Sequence, residues 1–264
     1  MDHTHRRKRR VDPAVSGWTV TSGAGPSLPS QVRFLVKPIV VVMARAPSSE
    51  GKSRLIRELR TADGVGLRTA LLRDTLAAVA PIDAQKAVLY TPMDGEAEIQ
   101  YMTPFDAIFL AQRGATLGER MKNGASELLA RGFGRVVLIG ADLPTLPAVV
   151  VIDALERLAR RPNSLVLGPA EDGGYYLIGV THVHSELFAD TPWGTADVLR
   201  RTQEAAAALR LTVELLPRWY DVDFPADLER IREQAHEGAP VANHTRAWLR
   251  RGSEPPRIVN GENQ

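Results

Sequence analysis

The segment 168–179 places two acidic residues, Glu171 and Asp172, directly before the adjacent glycines Gly173 and Gly174. Apolar runs that predict strands lie on both sides of it. Adjacent glycines allow positive φ angles or a close approach of the backbone to another group, and the carboxylates offer that group a polar or metal-linked contact. From these residues alone, the segment is either a decorated hairpin turn or a ligand-binding loop.

Aspartates at two other places have the pattern of metal ligands. Asp142 ends an apolar run, where a carboxylate is a natural ligand for a hard cation or, alternatively, a cap for the following helix. Asp221 and Asp223 flank Val222 at strand spacing, so both point to the same face. Two like charges on one face repel each other unless a cation or a base lies between them. The alternative is that one of them caps the helix opened by Pro225.

Residues 46–53 follow the first predicted strand and have a relaxed phosphate-loop spacing, with Ala46 in place of the first glycine. Pro47 removes a backbone donor, and no glycine lies between Ala46 and Gly51 to form a tight anion nest. These features favour a looser anion-binding loop, in which Lys52 and Arg54 are point charges for a diphosphate. A solvated basic loop is the alternative.

Several other candidates have a structural and a functional interpretation. Arg120 belongs either to a helix surface and its capping turn or to an anion site. Trp193 either packs on the core or forms a wall for a sugar or base ring. His182 and His184 are interpreted as surface residues, because no third ligand stands at a metal-site spacing.

Apolar runs alternate with helical patterns from Pro38 onward. Strands are predicted at 39–44, 87–90, 107–110, 136–139, 165–167, 175–178 and 213–216, and helices at 65–80, 116–131, 148–160, 195–209 and 226–235. The continuous apolar run at 39–44 is typical of a strand buried on both faces, and the spacing of Thr116 and Glu119 predicts a capping box. This alternation predicts βαβ units and a mostly parallel sheet in one α/β domain over 37–235. Ligands of such sheets bind beyond the carboxyl ends of the strands. The polar clusters 45–54, 140–144 and 221–223 are expected there.

The composition is that of an ordinary globular protein, with 44% hydrophobic and 24% charged residues among 264. Cysteine is absent, which excludes disulfides, thiolate metal sites and a cysteine nucleophile and fits a reducing compartment. We therefore expect a cytoplasmic protein. No apolar run approaches the roughly 20 residues of a membrane span, and no apolar core follows the first charges as in a signal peptide.

The net charge of +2 is unevenly distributed along the chain. Residues 1–10 carry +4, so the remainder is near −2 and has no obvious nucleic-acid charge signature. We expect no nucleic-acid partner. Residues 1–36 are predicted to be a disordered arm, with contact to nucleic acid or acidic lipid as the alternative. Residues 236–264 are predicted to be a polar tail that frays.

Seven motifs in register resemble a bacterial transferase family related to the GT-A glycosyltransferases, of the arsenosugar-biosynthesis and radical-SAM/selenodomain-associated type. The motifs lie at 44–47, 51–55, 117–121, 140–144, 168–179, 193–195 and 221–228. The chain is also similar to phospholactate and phosphoenolpyruvate guanylyltransferases, which share a Lys-Ser/Thr-Arg-Leu and an Asp-Val-Asp-x-Pro element. The resemblance covers about 38–232 and implies a single Rossmann-like GT-A domain with a mostly parallel mixed sheet flanked by helices. Arg45 departs from the lysine common in the family, and the acidic pair of many related enzymes is reduced to Asp142.

The resemblance implies a metal-dependent transferase with a nucleotide-activated donor, most simply glycosyl transfer from a nucleotide-diphospho-sugar to a small acceptor. A nucleotidyltransferase that releases pyrophosphate, a non-catalytic nucleotide-binding protein and a phosphate-loop kinase are the alternatives. Mg²⁺ or Mn²⁺ would bridge Asp142, Asp223 and the diphosphate, and Asp172 would accept a proton from the acceptor hydroxyl or orient it. The implied phosphate contacts are Arg45, Ala46, Pro47, Lys52, Arg54 and Arg120. The implied acceptor or sugar wall is Gly173, Gly174, Tyr175 and Trp193.

Overall fold

The computed structural model describes residues 37–189, 193–236 and 242–253, so the predicted arm over 1–36 lies outside the described residues. The strands are β1 (Pro38–Arg45), β2 (Gln85–Thr91), β3 (Ile108–Ala111), β4 (Arg135–Gly140), β5 (Ser164–Pro169), β6 (Tyr175–Val180) and β7 (Thr212–Leu215). The helices are α1 (Ser53–Leu59), α2 (Gly64–Val79), α3 (Glu96–Met102), α4 (Leu117–Ala130), α5 (Ala148–Arg160), α6 (Val198–Ala208), α7 (Pro225–His236) and α8 (Asn243–Ser253).

In the described part of the chain, the strands form a seven-stranded sheet in the order β3-β2-β1-β4-β6-β5-β7. Strand β6 is antiparallel to β4 and β5, whereas the other neighbouring strands are parallel. The prediction of a mostly parallel mixed sheet is confirmed. Strands β1 and β4 are neighbours at the point where the strand order changes direction, and ligands of open α/β sheets bind at such a point.

Helices cover both faces of the sheet, which explains why the central strands are apolar without alternation. In β1, Val40 and Val42 pack toward α2, α3 and α5, while Ile39 and Val41 pack toward α4 and α6. A strand buried on both faces needs apolar side chains in both directions. Helix α4 begins with the predicted capping box at Thr116, and this prediction is confirmed.

A further apolar cluster lies outside the sheet and joins α1, α2, α7 and α8. It contains Leu55, three residues after Lys52, and Val222, which separates Asp221 from Asp223. The loops that carry the candidate charges are therefore fixed to the same packed cluster.

Helix α8 corrects the prediction that the chain frays after residue 236, which is wrong for residues 243–253. Asp74 on α2 is 4% exposed and accepts the backbone N–H groups of His244 (2.9 Å) and Thr245 (2.7 Å). A carboxylate at a helix N-terminus satisfies unpaired donors and the positive end of the helix dipole. Trp248 also donates to Asp63, at 2.9 Å. The polar composition of this segment hid a helix that is held by a distant carboxylate.

Helices α1 and α3 were also missed, because each has seven residues and is too short to display a clear period. Among the described residues, none of the helices has both the length and the apolar character that a bilayer crossing requires.

Candidate active site

Lys52 lies between the two aspartates that the resemblance implies as metal ligands. Its Nζ is 2.8 Å from Asp142 Oδ2 and 2.5 Å from Asp223 Oδ1. The lysine side chain is only 12% exposed, whereas the two carboxylates are 38% and 47% exposed. The ammonium therefore neutralises the pair from the buried side, and the carboxylates stay accessible from solvent.

The electrostatics of this group favour the charge on Lys52. Burial opposes that charge, but the carboxylates of Asp142 and Asp223 outweigh the effect and raise the pKa of the ammonium above its usual value. For Asp221, in contrast, the surroundings disfavour the charged form. Burial, together with the negative charge of Asp142, raises the pKa of its carboxyl to about 7. Asp221 belongs to the same acidic group. Its spacing with Asp223 was the sequence signal for it, although the segment 221–223 is a loop and not a strand.

Asp142 is positioned by a clamp on the backbone around it. The hydroxyl of Thr75, on α2, lies 2.8 Å from the carbonyl oxygen of Ala141 and accepts the N–H of Leu143 at 3.0 Å. The carbonyl of Asp142 accepts the N–H of Val222 at 3.0 Å. Since the residue that precedes α5 is Pro147, the interpretation of Asp142 as a helix cap is wrong.

Replacing Thr75 with Val should lower the free energy of unfolding by about 1–3 kcal/mol, because the N–H of buried Leu143 loses its acceptor. Urea unfolding measures this change. Thr103→Val is the matched control, since that hydroxyl bonds to the carbonyl of Ile99 on its own helix. Equal losses in both variants would contradict a clamp on the strand end at Asp142.

Asp223 is free to pair with Lys52 because another aspartate caps α7. The carboxylate of Asp227 accepts the N–H groups of Asp223 (2.9 Å) and Phe224 (2.8 Å). Asp227, and not Asp221 or Asp223, therefore supplies the cap, and Asp223 faces the lysine.

Three backbone donors of the loop before Lys52 bond to other groups of the protein. The N–H of Ala46 bonds to Thr91 O at 2.8 Å, that of Ser48 to Glu98 Oε1 at 2.9 Å, and that of Ser49 to Ala46 O at 2.9 Å. A phosphate loop needs such donors free and aimed at the anion. The N–H groups of Ala46, Ser48 and Ser49 are therefore not free to bind an anion, which disfavours a true phosphate loop.

Arg68, a residue that the sequence analysis missed, closes the same loop from α2. Its Nε donates to Pro47 O at 2.8 Å and its Nη1 donates to Gly51 O at 3.1 Å. Ala46 and Pro47 are buried, which leaves their side chains in the protein interior. The sequence carried no signal for Arg68, because its partners are backbone carbonyls 17 and 21 residues away.

A cleft of about 290 Å³ opens at the carboxyl ends of β1 and β4, and we call it the central cleft. It brings together four of the predicted site residues, Arg45, Lys52, Asp142 and Tyr175. Its apolar lining comes from Met43, Leu72, Leu117, Met121, Leu138, Ile139, Ala141 and Ile178. A cleft with an apolar wall and a few convergent charges is typical of a small-molecule site.

The glycine-rich segment is the turn between the antiparallel strands β5 and β6. Gly173 has a φ of 91°, and a Cβ there would lie 2.4 Å from Ala196 O. The close approach that requires this glycine is thus to the protein's own backbone. Asp172 accepts the N–H of Gly174 at 2.9 Å and lines an acidic cleft beside Asp221 and Asp223. The segment is a hairpin turn whose acidic side adjoins the candidate site.

Three predicted site residues have other partners. Arg54 pairs with Glu58 at 3.1 Å, and its guanidinium lies 4.3 Å from the centre of the Phe224 ring. Arg120 donates to a backbone carbonyl at 3.0 Å and lines a separate cleft beside β3 and α4. Trp193 packs edge-on against Tyr175, with ring centres 6.2 Å apart. Their ligand-binding roles stay predictions.

Asp142 and Asp223 provide the oxygen donors that Mg²⁺ and Mn²⁺ favour, and both reach the point held by Lys52 Nζ. In the described part of the chain, however, no group of three or more His, Cys, Asp or Glu residues is arranged to hold a metal ion. Mg²⁺ commonly uses one or two carboxylates together with substrate phosphates. The residues therefore fit a cation that arrives with a phosphate ligand.

Comparison with known proteins identifies the family and the fold. Residues 72–195 match the family model described as "Uncharacterized protein conserved in bacteria (DUF2064)". A crystal structure from Desulfovibrio desulfuricans G20, described as a "putative nucleotide-diphospho-sugar transferase", is 32% identical, with a TM-score of 0.67 over 72% of this chain and 84% of that one. A curated protein of Sphaerobacter thermophilus, phosphoenolpyruvate guanylyltransferase, is 28% identical over 195 residues, which are 72% of this chain and 91% of the relative.

A more distant structure shares the fold. CMP:2-keto-3-deoxy-manno-octonic acid synthetase complexed with CTP is 14% identical, with a TM-score of 0.51 over 77% of this chain and 100% of that one. The motifs, the strand order and these similarities all indicate the same family and the same fold. The chain belongs to the DUF2064 family of uncharacterized bacterial proteins, and its fold is that of the GT-A-like nucleotide-diphospho-sugar transferases.

Proposed function

We propose that the protein is a metal-dependent transferase that acts on a nucleotide-activated donor. The observation that carries the proposal is the meeting of Lys52 with Asp142 and Asp223 at the carboxyl end of β4, beside Arg45 at the end of β1. Cationic side chains suit a phosphate group, and accessible carboxylates suit the cation that accompanies it.

Each part of the central cleft has a role in this proposal. Asp142 and Asp223 would hold a divalent cation, which when bound supplies positive charge for the negative charge that develops on the leaving phosphates. Arg45 lies at the mouth of the cleft, where its guanidinium can hold a phosphate. The apolar wall formed by Met43, Leu117 and Met121 offers a surface for a base or sugar ring.

Asp172 is proposed to act on the acceptor. It is exposed and lines the acidic cleft with Asp221 and Asp223, so an acceptor hydroxyl bound there would lie within its reach. Asp172 would accept the proton of this hydroxyl or orient it for attack.

Glycosyl transfer is the first candidate reaction, in line with the 32% identical relative described as a "putative nucleotide-diphospho-sugar transferase". The products would be a glycosylated acceptor and a nucleoside diphosphate. Nucleotidyl transfer is the second candidate, favoured by the relative named phosphoenolpyruvate guanylyltransferase. Its products would be pyrophosphate and a nucleotide joined to the acceptor.

A donor panel tests the proposal and separates the two reactions. Sugar nucleotides and nucleoside triphosphates are incubated with the protein and Mg²⁺ or Mn²⁺, with phosphoenolpyruvate among the acceptors. Release of a nucleoside diphosphate from a sugar nucleotide identifies glycosyl transfer, and release of pyrophosphate identifies nucleotidyl transfer. A chelator should stop either reaction. Binding without turnover across the panel, or transfer of a γ-phosphate, would contradict the proposal.

A further inference from the structure

An open groove runs beside the central cleft, along the loop before α1 and the start of α2. Arg45, Arg57, Arg60 and Arg68 line it, and Glu50 is the one carboxylate among the described residues of its lining. We call it the arginine groove. Most of its charged side chains are cationic, whereas the rest of the described chain contains both acidic and basic side chains.

The four arginines of the groove have no carboxylate partner within the described residues, whereas Arg54, which lies on α1 with Arg57, pairs with Glu58. Arg57 illustrates the reason. The positions three and four residues away along the chain are Ser53, Arg54, Arg60 and Thr61, none of them acidic. Several guanidinium groups without internal counter-ions around one groove favour an external anion.

One of these cations is fixed in place before any ligand arrives. Arg68 is half-buried, and its bonds to Pro47 O and Gly51 O use Nε and Nη1. Neither bond uses Nη2, and neither partner neutralises the charge. A guanidinium held by carbonyl oxygens keeps its charge. Because its conformation is already restricted, it loses little further conformational entropy when it binds a ligand, which suits recognition of phosphate.

Two of the residues first expected to hold phosphate have other partners. Lys52 is paired with Asp142 and Asp223, and Arg54 lies against Phe224. The groove shares Arg45, Gly51 and Arg68 with the central cleft, so the two spaces are continuous along their border. A ligand in the cleft can therefore extend a charged group into the groove.

We propose that the arginine groove is a phosphate-binding subsite. It takes a phosphate group of a substrate whose reacting part lies in the central cleft. The carrier of that phosphate rests on the proposed function: it is either the distal phosphates of a nucleoside triphosphate donor or a phosphate on the acceptor. In both cases Arg57 and Arg60 hold the phosphate outside the acidic group.

Inorganic pyrophosphate is the probe for the first test, with calorimetric titration of the whole protein at constant ionic strength. The double variant Arg57→Gln/Arg60→Gln should bind pyrophosphate at least about tenfold more weakly than the unmodified protein, since two charge-assisted contacts are removed. Arg201→Gln/Arg250→Gln is the control. Both of these arginines are exposed on helices, and neither lines the groove. Equal affinities of the two double variants would overturn the proposal.

Nucleotide titrations identify the source of the phosphate. If the donor occupies the groove, the groove variant loses affinity for nucleoside triphosphate but not for the monophosphate. If the acceptor occupies it, triphosphate affinity is unchanged, while pyrophosphate affinity still falls. These measurements need no turnover. Loss of pyrophosphate binding without any transferase activity would leave the groove established and refute the proposed function. Activity with unaltered pyrophosphate binding would refute the groove alone.

Discussion

Asp142→Asn should abolish metal-dependent turnover while the protein stays folded. The amide has nearly the shape of the carboxylate but carries no negative charge, so the candidate cation site keeps only Asp223 opposite Lys52. Charge stabilisation by a bound cation is worth several kcal/mol, which corresponds to a rate loss of at least about 100-fold. Steady-state rates with the active donor, at a fixed excess of Mg²⁺ or Mn²⁺, measure the effect.

The backbone clamp should preserve the fold of this variant. Thr75 bonds to the backbone on either side of Asp142, and neither bond uses the carboxylate. Asp106→Asn is the control, because Asp106 is an exposed acidic residue that lines neither the central cleft nor the acidic cleft. An Asp142→Asn protein with normal activity would refute the assignment of the site.

Lys52→Met should destabilise the protein when divalent cations are removed by a chelator. The lysine neutralises Asp142 and Asp223, and Asp221 lies near enough to feel the same charges. Removing one partner of a buried ion pair typically costs about 3–5 kcal/mol. Since both carboxylates are more than one-third exposed, solvent reduces the loss, and we expect about 1–3 kcal/mol in urea unfolding.

Addition of Mn²⁺ should restore the stability of Lys52→Met more than it stabilises the unmodified protein. The cation would neutralise the carboxylates at the point that the ammonium holds in the unmodified protein, and binding to the folded state stabilises it. Lys86→Met is the control, because Lys86 donates to the carbonyl oxygen of Ile82 at 2.7 Å and to no carboxylate within the described residues. A Lys52→Met protein as stable as the unmodified protein in chelator would show that the lysine is not the counter-ion of this group.

Local patterns in the sequence were sufficient to predict the strands of the sheet and most of the longer helices. The apolar run at β1 predicted a strand buried on both faces, and the spacing of Thr116 and Glu119 predicted the capping box of α4. The same kind of pattern missed α8, because the helix depends on Asp74, a residue about 170 positions earlier.

Part of the candidate site could also be predicted from local sequence patterns. The sequence alone determined that Asp142 follows a buried strand, because the apolar run before it is a local pattern. Asp221 and Asp223 were expected to share a face at strand spacing, but residues 221–223 form no strand, although both aspartates line the acidic cleft. Only the tertiary structure decided that Lys52 lies between Asp142 and Asp223, since one of these pairs spans 171 residues. It also decided that Gly173 approaches the protein's own backbone and that Arg68 secures the loop. The sequence specifies the type of each residue, but the contacts that each side chain makes depend on packing between segments far apart in sequence.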